Sequence, residues 1–445
     1  EAGPPLLWRE NNGFTALHYA ASNGHTELVT RLLERIEGDG AAYGEAGPPL
    51  LWRTNNGFTA LHYAAQNGHT ELVTQLLERI EGGGAAYGEA GPPLLWRTSD
   101  GGTALHNAAY NGHTELVTRL LERIEGGGAA YGEAGPPLLW RTNAGSTALH
   151  LAAQNGHTEL VTRLLERIEG DGAAYGEAGP PLLWRKNSGF TALHSAAFNG
   201  HTELVTRLLE RIEEGGAAYG KADPPLQWKE NNGYTAMHCA AFNGHIELVT
   251  RLLERIEGDV AAYGEADPPL LWRTNNGSTA LHYAAYNGHA ELVTRLLERI
   301  EGDVAAYGEA DPPLLWKTNE GSTALHFAAF NGHAELVTRL LERIEGGGAA
   351  YGKADPPLLW RDNEESTALQ CAAGQGHAEL VMRLLERIEG DVAAYGEAGS
   401  PLLWREIHGA TLLHDAAAGG QTSTARMLVR RGADPLAEAS VAIGR

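Results

Sequence analysis

The histidines are the residues best placed to do chemistry in this chain. Of its nineteen histidines, nine follow a Thr-Ala-Leu motif or a close variant, as His18, His62 and His106 do. Nine more follow a glycine, as His25, His69 and His113 do, and His408 stands apart. Imidazoles in such number suggest zinc ligation or proton transfer. Zinc takes nitrogen ligands at about 2.0–2.1 Å, and equivalent histidines in successive copies of a motif are too far apart to share an ion. No cysteine or carboxylate joins them at ligand spacing. Catalysis needs a unique convergent set of groups, whereas almost every polar residue here recurs down the chain. No enzyme activity, metal or other cofactor is expected.

Other candidates weaken in the same way. The stretch GDGAAYG from Gly38 to Gly44 echoes a phosphate loop. A true one follows a strand and opens a helix, but this one follows a helical pattern in an acidic neighbourhood. The two cysteines, Cys239 and Cys371, sit three copies apart at one position of the motif. That puts them beyond the roughly 7 Å a disulfide spans, so they are expected as small buried or half-buried side chains. Asn276-Gly277-Ser278 is a lone glycosylation sequon that the other copies lack.

The recurrence is itself the main signal. Copies begin at Glu1, Glu45, Glu89, Glu133, Glu177, Lys221, Glu265, Glu309, Lys353 and Glu397, giving ten units of 44 residues. A period of this size marks an array whose units bury their apolar faces against each other and not in one central core. Residues 1–396 make nine tandem units, 397–440 a divergent tenth with the character of a C-terminal cap, and 441–445 a tail. No comparable cap precedes Glu1, so the array is expected to continue upstream.

Within a unit the second copy is typical. Thr59 suits the N-cap of a short helix starting at Ala60. Leu61, Ala64 and Ala65 form its apolar stripe, with His62, Tyr63 and Gln66 on the other side. Asn67-Gly68 stops it. HTELVTQLLERIEG then gives a second helix with Leu72, Val73, Leu76, Leu77 and Ile80 on one face. Glu and Arg at i,i+4, as in Glu115 and Arg119, support that helix by a few tenths of a kcal/mol (about 0.3).

GFTALHYAAQNGHTELVTQLLE resembles the ankyrin repeat, whose first helix opens on Thr-Pro-Leu-His-x-Ala. Ala replaces Pro here, unit six reads TAMH, unit nine TALQ and unit ten TLLH. The resemblance covers every unit and implies an all-α, ankyrin-like solenoid of ten helix-turn-helix repeats with long finger connectors. It also implies that the histidines cap backbone groups. Ankyrin units run 33 residues, so each 44-residue unit carries an insertion after its second helix. In unit ten, ARMLVRRGADPLA ends like an ordinary ankyrin unit.

The connector, in which GGGAAYGEAGPP is the insertion and LLWRTNNG takes the place of the finger, is unusually apolar. AAYGEAGPPLLWRT, from Ala85 to Thr98, holds two prolines, two leucines and a tryptophan. Exposing such a cluster in every unit would make a patch beyond the few hundred Å² that soluble proteins tolerate. Each cluster is therefore expected to pack on its neighbours as extra core, with tyrosines such as Tyr87 between the tryptophans.

Lys and Arg number 34 against 56 Asp and Glu, a net charge of −22. That disfavours nucleic acid, which demands a cationic surface. No apolar run is long enough to insert in a membrane, and a soluble, intracellular chain is favoured with its compartment unknown. The units differ mainly at the connector turn, after the turn glycine, and at two positions of the first helix. In ankyrin proteins these positions line the concave partner-binding side. Aromatics enrich interfaces, so the resemblance assigns partner contact to Phe14, Tyr19, Phe58, Tyr63, Asp100, Asn107, Tyr110, Gln154, Phe190, Phe198, Tyr234, Phe242, Tyr283, Tyr286, Phe327 and Phe330. The expected role is a non-catalytic scaffold binding a protein partner of unknown identity. The alternative is a structural protein, a filament or spacer, self-associating through the uncapped N-terminal repeat. Unit nine, with Glu365 for the turn glycine, Gln370 for histidine and Gly374 in its first helix, is expected to open most easily.

Overall fold

Seven residues make a helix too short to persist alone in water, so the first helix of each repeat must be held by capping and by its neighbours. The computed structural model of the chain describes Leu6 and residues 8–38, 47–82, 91–127, 134–171, 175–215, 224–258, 268–302, 311–346, 355–406 and 408–436. They fall in two compact units, Glu1–Pro225 and Leu226–Arg445.

In the first unit the short helices are Ala16–Ser22, Ala60–Gln66, Ala104–Tyr110, Ala148–Gln154 and Ala192–Phe198. Each is followed, after a three-residue turn, by a longer one: Thr26–Gly38, Thr70–Gly82, Thr114–Gly126, Thr158–Gly170 and Thr202–Glu214. In the second unit Ala236–Phe242, Ala280–Tyr286, Ala324–Phe330, Ala368–Gln375 and Leu412–Ala418 pair with Ile246–Gly258, Ala290–Gly302, Ala334–Gly346, Ala378–Gly390 and Thr422–Arg430. Within each unit every first helix packs on the first helix of the next repeat. Among the described residues extended pairing is confined to one isolated bridge, Arg361 to Thr367. The architecture is the all-α, ankyrin-like solenoid of helix-turn-helix repeats.

The apolar stripes lie where their periodicity puts them. Leu61, Ala64 and Ala65 are buried, as are Leu72, Val73, Leu76, Leu77 and Ile80. Alanine on the first helix lets adjacent helices approach closely, while the leucines supply about 1.5–3 kcal/mol each by leaving water.

His62 departs from its assigned side of the helix. It is fully buried. Its Nδ1 accepts the Thr59 N–H at 3.2 Å, closing a capping box in which histidine takes the usual Glu or Gln place. With Nδ1 an acceptor, Nε2 carries the proton and donates to the Trp96 carbonyl at 3.0 Å. Trp96 belongs to the next repeat's connector. The same forward bond joins His18 to Trp52, His106 to Trp140 and His150 to Trp184 in the first unit. In the second it joins His238 to Trp272, His282 to Trp316 and His326 to Trp360.

The other histidine series reaches backward. His69 Nε2 meets the Ser22 carbonyl at 2.9 Å, and His113 meets that of Gln66 at 2.9 Å. The turn glycine is tied to this contact. Gly68 has φ +73°, and a Cβ there would lie 2.5 Å from the His113 ring. Only glycine suits both the left-handed backbone and the approach.

The connectors are core, as their composition predicts. Pro92 is extended, and Pro93–Leu95 makes one 3₁₀ turn. Leu94 and Trp96 are buried, and the Trp96 indole N–H donates to the Gly91 carbonyl at 3.2 Å. Trp8 is the departure, at 62% exposed. Of the interleaving tyrosines, Tyr175 is buried with its ring 6.4 Å from that of Trp184, and Tyr395 is buried at the equivalent place. Tyr87 and most of the GDGAAYG stretch lie outside the described residues, as does the 441–445 tail.

Candidate functional site

Each finger is a tight turn built from backbone. Thr54 N–H donates to the Phe58 carbonyl at 2.9 Å and Gly57 N–H to that of Thr54 at 2.9 Å. The fingers are tied edge to edge. Asn55 N–H donates to the Asn12 carbonyl at 3.0 Å, and its side-chain amide to that of Asn11 at 2.8 Å. At the finger base Arg53 donates to the carbonyl of Arg97, and Arg97 to that of Arg141. These ties fix the backbone, so side chains at the varied positions stand on a rigid edge.

Along that edge the first unit begins aromatic. Phe14 lies 4.9 Å from both Tyr19 and Tyr63, and Phe58 lies 5.0 Å from Tyr63, ring centre to ring centre. Such tilted packing contributes about 0.5–1.5 kcal/mol per pair beyond burial. Tyr19 donates to Glu10 at 2.7 Å, which raises its phenol pKa. The middle of the unit is polar: Asp100 is exposed, while Asn107 and Gln154 are half-buried. Lys186 donates to Gln154 at 3.3 Å and sits 5.9 Å above the Phe190 ring. Its burial lowers its pKa. Phe190 packs edge-on against Phe198 at 6.2 Å.

In the second unit Tyr234 and Phe242 of one repeat lie 4.7 Å and 6.0 Å from Tyr283 of the next. Tyr286 in turn lies 5.8 Å from Phe327. Tyr283 is therefore roofed by the preceding repeat and only 7% exposed, with its hydroxyl 3.1 Å from Thr274 Oγ1. It supports the strip from beneath and does not offer its ring to solvent. The residue after the Ala-Ala pair behaves differently. Tyr110, Phe198, Tyr286 and Phe330 are each 37–44% exposed, and Phe242 is half-buried.

Several residues that shape this face do not stand out by aromatic character. At the position of Thr54, Thr98 and Thr274 stand Lys186, Glu230, Asp362 and Glu406. Glu230 is buried, its carboxylate accepting the N–H groups of Asn232 at 2.7 Å and Tyr234 at 3.0 Å. Asp362 likewise accepts from Glu364 and Ser366 N–H at 2.9 Å each. The signal was the break in an otherwise threonine series. Asp415, on the last first helix, has its carboxyl pushed up to about 7 by burial and by the neighbouring Glu406.

The buried histidines have little proton chemistry near neutral pH. Burial lowers His62, His106, His238 and His282 to about 4 and His150 to about 3. Burial raises the thiol of Cys239 well above its ordinary range and that of Cys371 to about 12. Cys239 is buried and Cys371 half-buried, both as free thiols. Among the described residues no group of three or more His, Cys, Asp or Glu side chains is placed to hold a metal ion. No helix among them is long and apolar enough to cross a membrane.

The second helices carry a separate pattern. Arg119 pairs with Glu115 at 2.7 Å along the helix. The next arginine of several of these helices instead reaches the preceding repeat, as Arg79 does to Glu37 and Arg123 to Glu81. This face is filled by its own charges.

A family model described as ankyrin repeats (3 copies) matches residues 4–86, 86–176, 133–221, 176–264, 264–355 and 348–439. No curated protein matches the chain.

Proposed function

The chain belongs to the ankyrin-repeat family, whose repeats are generally protein–protein interaction modules, and from that premise we propose that it is a non-catalytic scaffold that holds a protein partner along its fingers and first helices. One observation carries the reading. Where the repeats are otherwise near-identical, the residue after Ala-Ala varies, and in Tyr110, Phe198, Tyr286 and Phe330 it leaves an aromatic ring well exposed. Exposed aromatics on a rigid backbone are the side chains that dominate interface energetics. The backbone ties between fingers support the same reading, since preorganised contacts lose little entropy on binding. In this reading residues 1–396 form nine tandem repeats, and 397–440 a polar C-terminal cap.

The test is site-directed cross-linking. A photoreactive phenylalanine analogue is placed at Tyr110, Tyr286 or Phe330, and for comparison at Glu122 or Glu298 on the second helices. Exposed to an extract of the native source, the first set should capture one discrete protein and the second none. Equal capture from both sets, or none from the first, would rule out the assignment.

A further inference from the structure

The strip of the second unit changes character along its length. Over repeats six to eight it is aromatic, with Phe242, Tyr286 and Phe330 in register. From repeat eight onward it gathers acids. Glu320 and Glu364 stand exposed at successive finger tips, and Asp362, Glu406 and Asp415 are half-buried behind them. Asp362 is occupied by backbone N–H groups and Glu406 by the Ser366 hydroxyl. The carboxylates of Glu320 and Glu364 meet no cation among the described residues.

The cations of the same edge do not offset these acids. Lys317 donates to the Arg361 carbonyl at 3.0 Å, and Arg361 donates to the carbonyls of Glu365 at 2.7 Å and Arg405 at 2.8 Å. Both are anchored on backbone at the finger base, and Arg361 approaches the Glu365 carboxylate only at 3.8 Å. Repeat nine also lacks the aromatic of its predecessors. Gly374 takes that place, and a Cβ built there would have its nearest contact, the Asp415 Cβ, 3.8 Å away. The missing side chain leaves a notch beside Asp415, whose Oδ2 is buried and accepts no hydrogen bond among the described residues.

We infer that repeats seven to ten take a cationic segment of the partner protein, its lysine or arginine side chains lying over Tyr286 and Phe330 and facing Glu320, Glu364 and the Gly374 notch. This rests on the strip being the partner-binding face. The chemistry is complementary on both counts. A guanidinium or ammonium is drawn to the face of an exposed ring, and unpaired carboxylates steer and orient a positive chain. The aromatics alone would accept any apolar segment. The acids alone would be a solvated rim. Their succession along one rigid edge selects a segment that is both.

The test uses the full chain and short fluorescent peptides, one alternating arginine with alanine and one alternating glutamate with alanine, followed by anisotropy. Because the whole chain is acidic, the controls decide the outcome. Glu320→Gln with Glu364→Gln should weaken the arginine peptide about fivefold or more, and Phe330→Ala about tenfold. Glu298→Gln with Glu342→Gln removes the same charge from exposed second-helix positions and should leave its affinity unchanged. Circular dichroism of each variant checks that the helices persist. If both charge pairs weaken binding alike, or the glutamate peptide binds as tightly, the inference is overturned. A natural partner cross-linked at Tyr286 or Phe330 through a stretch without cationic residues would also end it, while leaving the scaffold reading intact.

Discussion

His62 Nε2 lies 3.0 Å from the carbonyl oxygen of Trp96, 34 residues further on, while its Nδ1 holds the amide of Thr59. One side chain thus caps its own helix and fastens the next repeat's connector. Removing it leaves a buried amide and a buried carbonyl without partners. His62→Ala should cost about 2–4 kcal/mol, read as a lower urea midpoint. Hydrogen exchange should rise fastest at Thr59 and around Trp96. A variant as stable as the parent would show that water replaces both bonds.

The burial of these imidazoles makes the fold acid-sensitive. Folded-state values near 4 lie below the ordinary 6.5, so between those limits the unfolded chain binds more protons than the native one. Stability is then complete above about pH 6.5 and declines as pH falls toward 4, by about 1–2 kcal/mol per buried histidine at pH 5. Urea midpoints should drop between pH 7.5 and pH 5. A flat profile would contradict the burial of these imidazoles.

Asp415 should act with the opposite sign. Its folded value of about 7 lies above that of a free carboxyl. Its contribution is most favourable at low pH and fades as pH rises through 7. Asp415→Asn should therefore stabilise the last repeat more at pH 8 than at pH 5.5, followed by exchange of amides in Leu412–Ala418. A gain independent of pH would assign the effect to something other than its charge.

Two glycines separate conformation from propensity. Gly68→Ala meets the His113 ring and a left-handed backbone, and should cost at least about 2 kcal/mol. Gly82→Ala, at the end of Thr70–Gly82 with nothing within 4 Å of the new carbon, should gain up to about 1 kcal/mol. Thermal melts of the two variants should move in opposite directions.

Repeat nine should open before repeat eight. Gln370 caps Thr367 through its Oε1, but its Nε2 is buried without a partner. Glu365 is a non-glycine residue at φ +62°. Gln370→His should restore the forward bond to the Trp404 carbonyl, and Glu365→Gly should relieve about 1 kcal/mol of backbone strain. Faster hydrogen exchange over Ala368–Gln375 than over Ala324–Phe330 should disappear in the double variant. Equal protection in the parent chain would count against a weak ninth repeat.

Much of this was legible in the residues. The helix limits around Ala60–Gln66 follow from Thr59 and Asn67-Gly68, and the burial of Leu94 and Trp96 from the impossibility of exposing so many copies. The histidines were legible as caps only in part. A helical wheel places His62 off the apolar stripe, because it counts one helix and not the connector that arrives from the next repeat. The roofing of Tyr283 was hidden for a related reason: it depends on Tyr234 and Phe242, a full repeat earlier. Arg79 gave no sign of leaving its own helix for Glu37, since one sequence cannot tell a partner four residues away from one forty-two away.

The joints between neighbours use backbone atoms and recurring side chains, as in Arg53 to the carbonyl of Arg97 and Arg97 to that of Arg141. A carbonyl is the same whatever residue bears it. Between copies that keep the forward histidine and the finger-base cation, losing or doubling one 44-residue block leaves the backbone joints of each junction alike. Copy number in such a chain is free to drift, and its reach can lengthen or shorten in fixed steps without a new joint being invented.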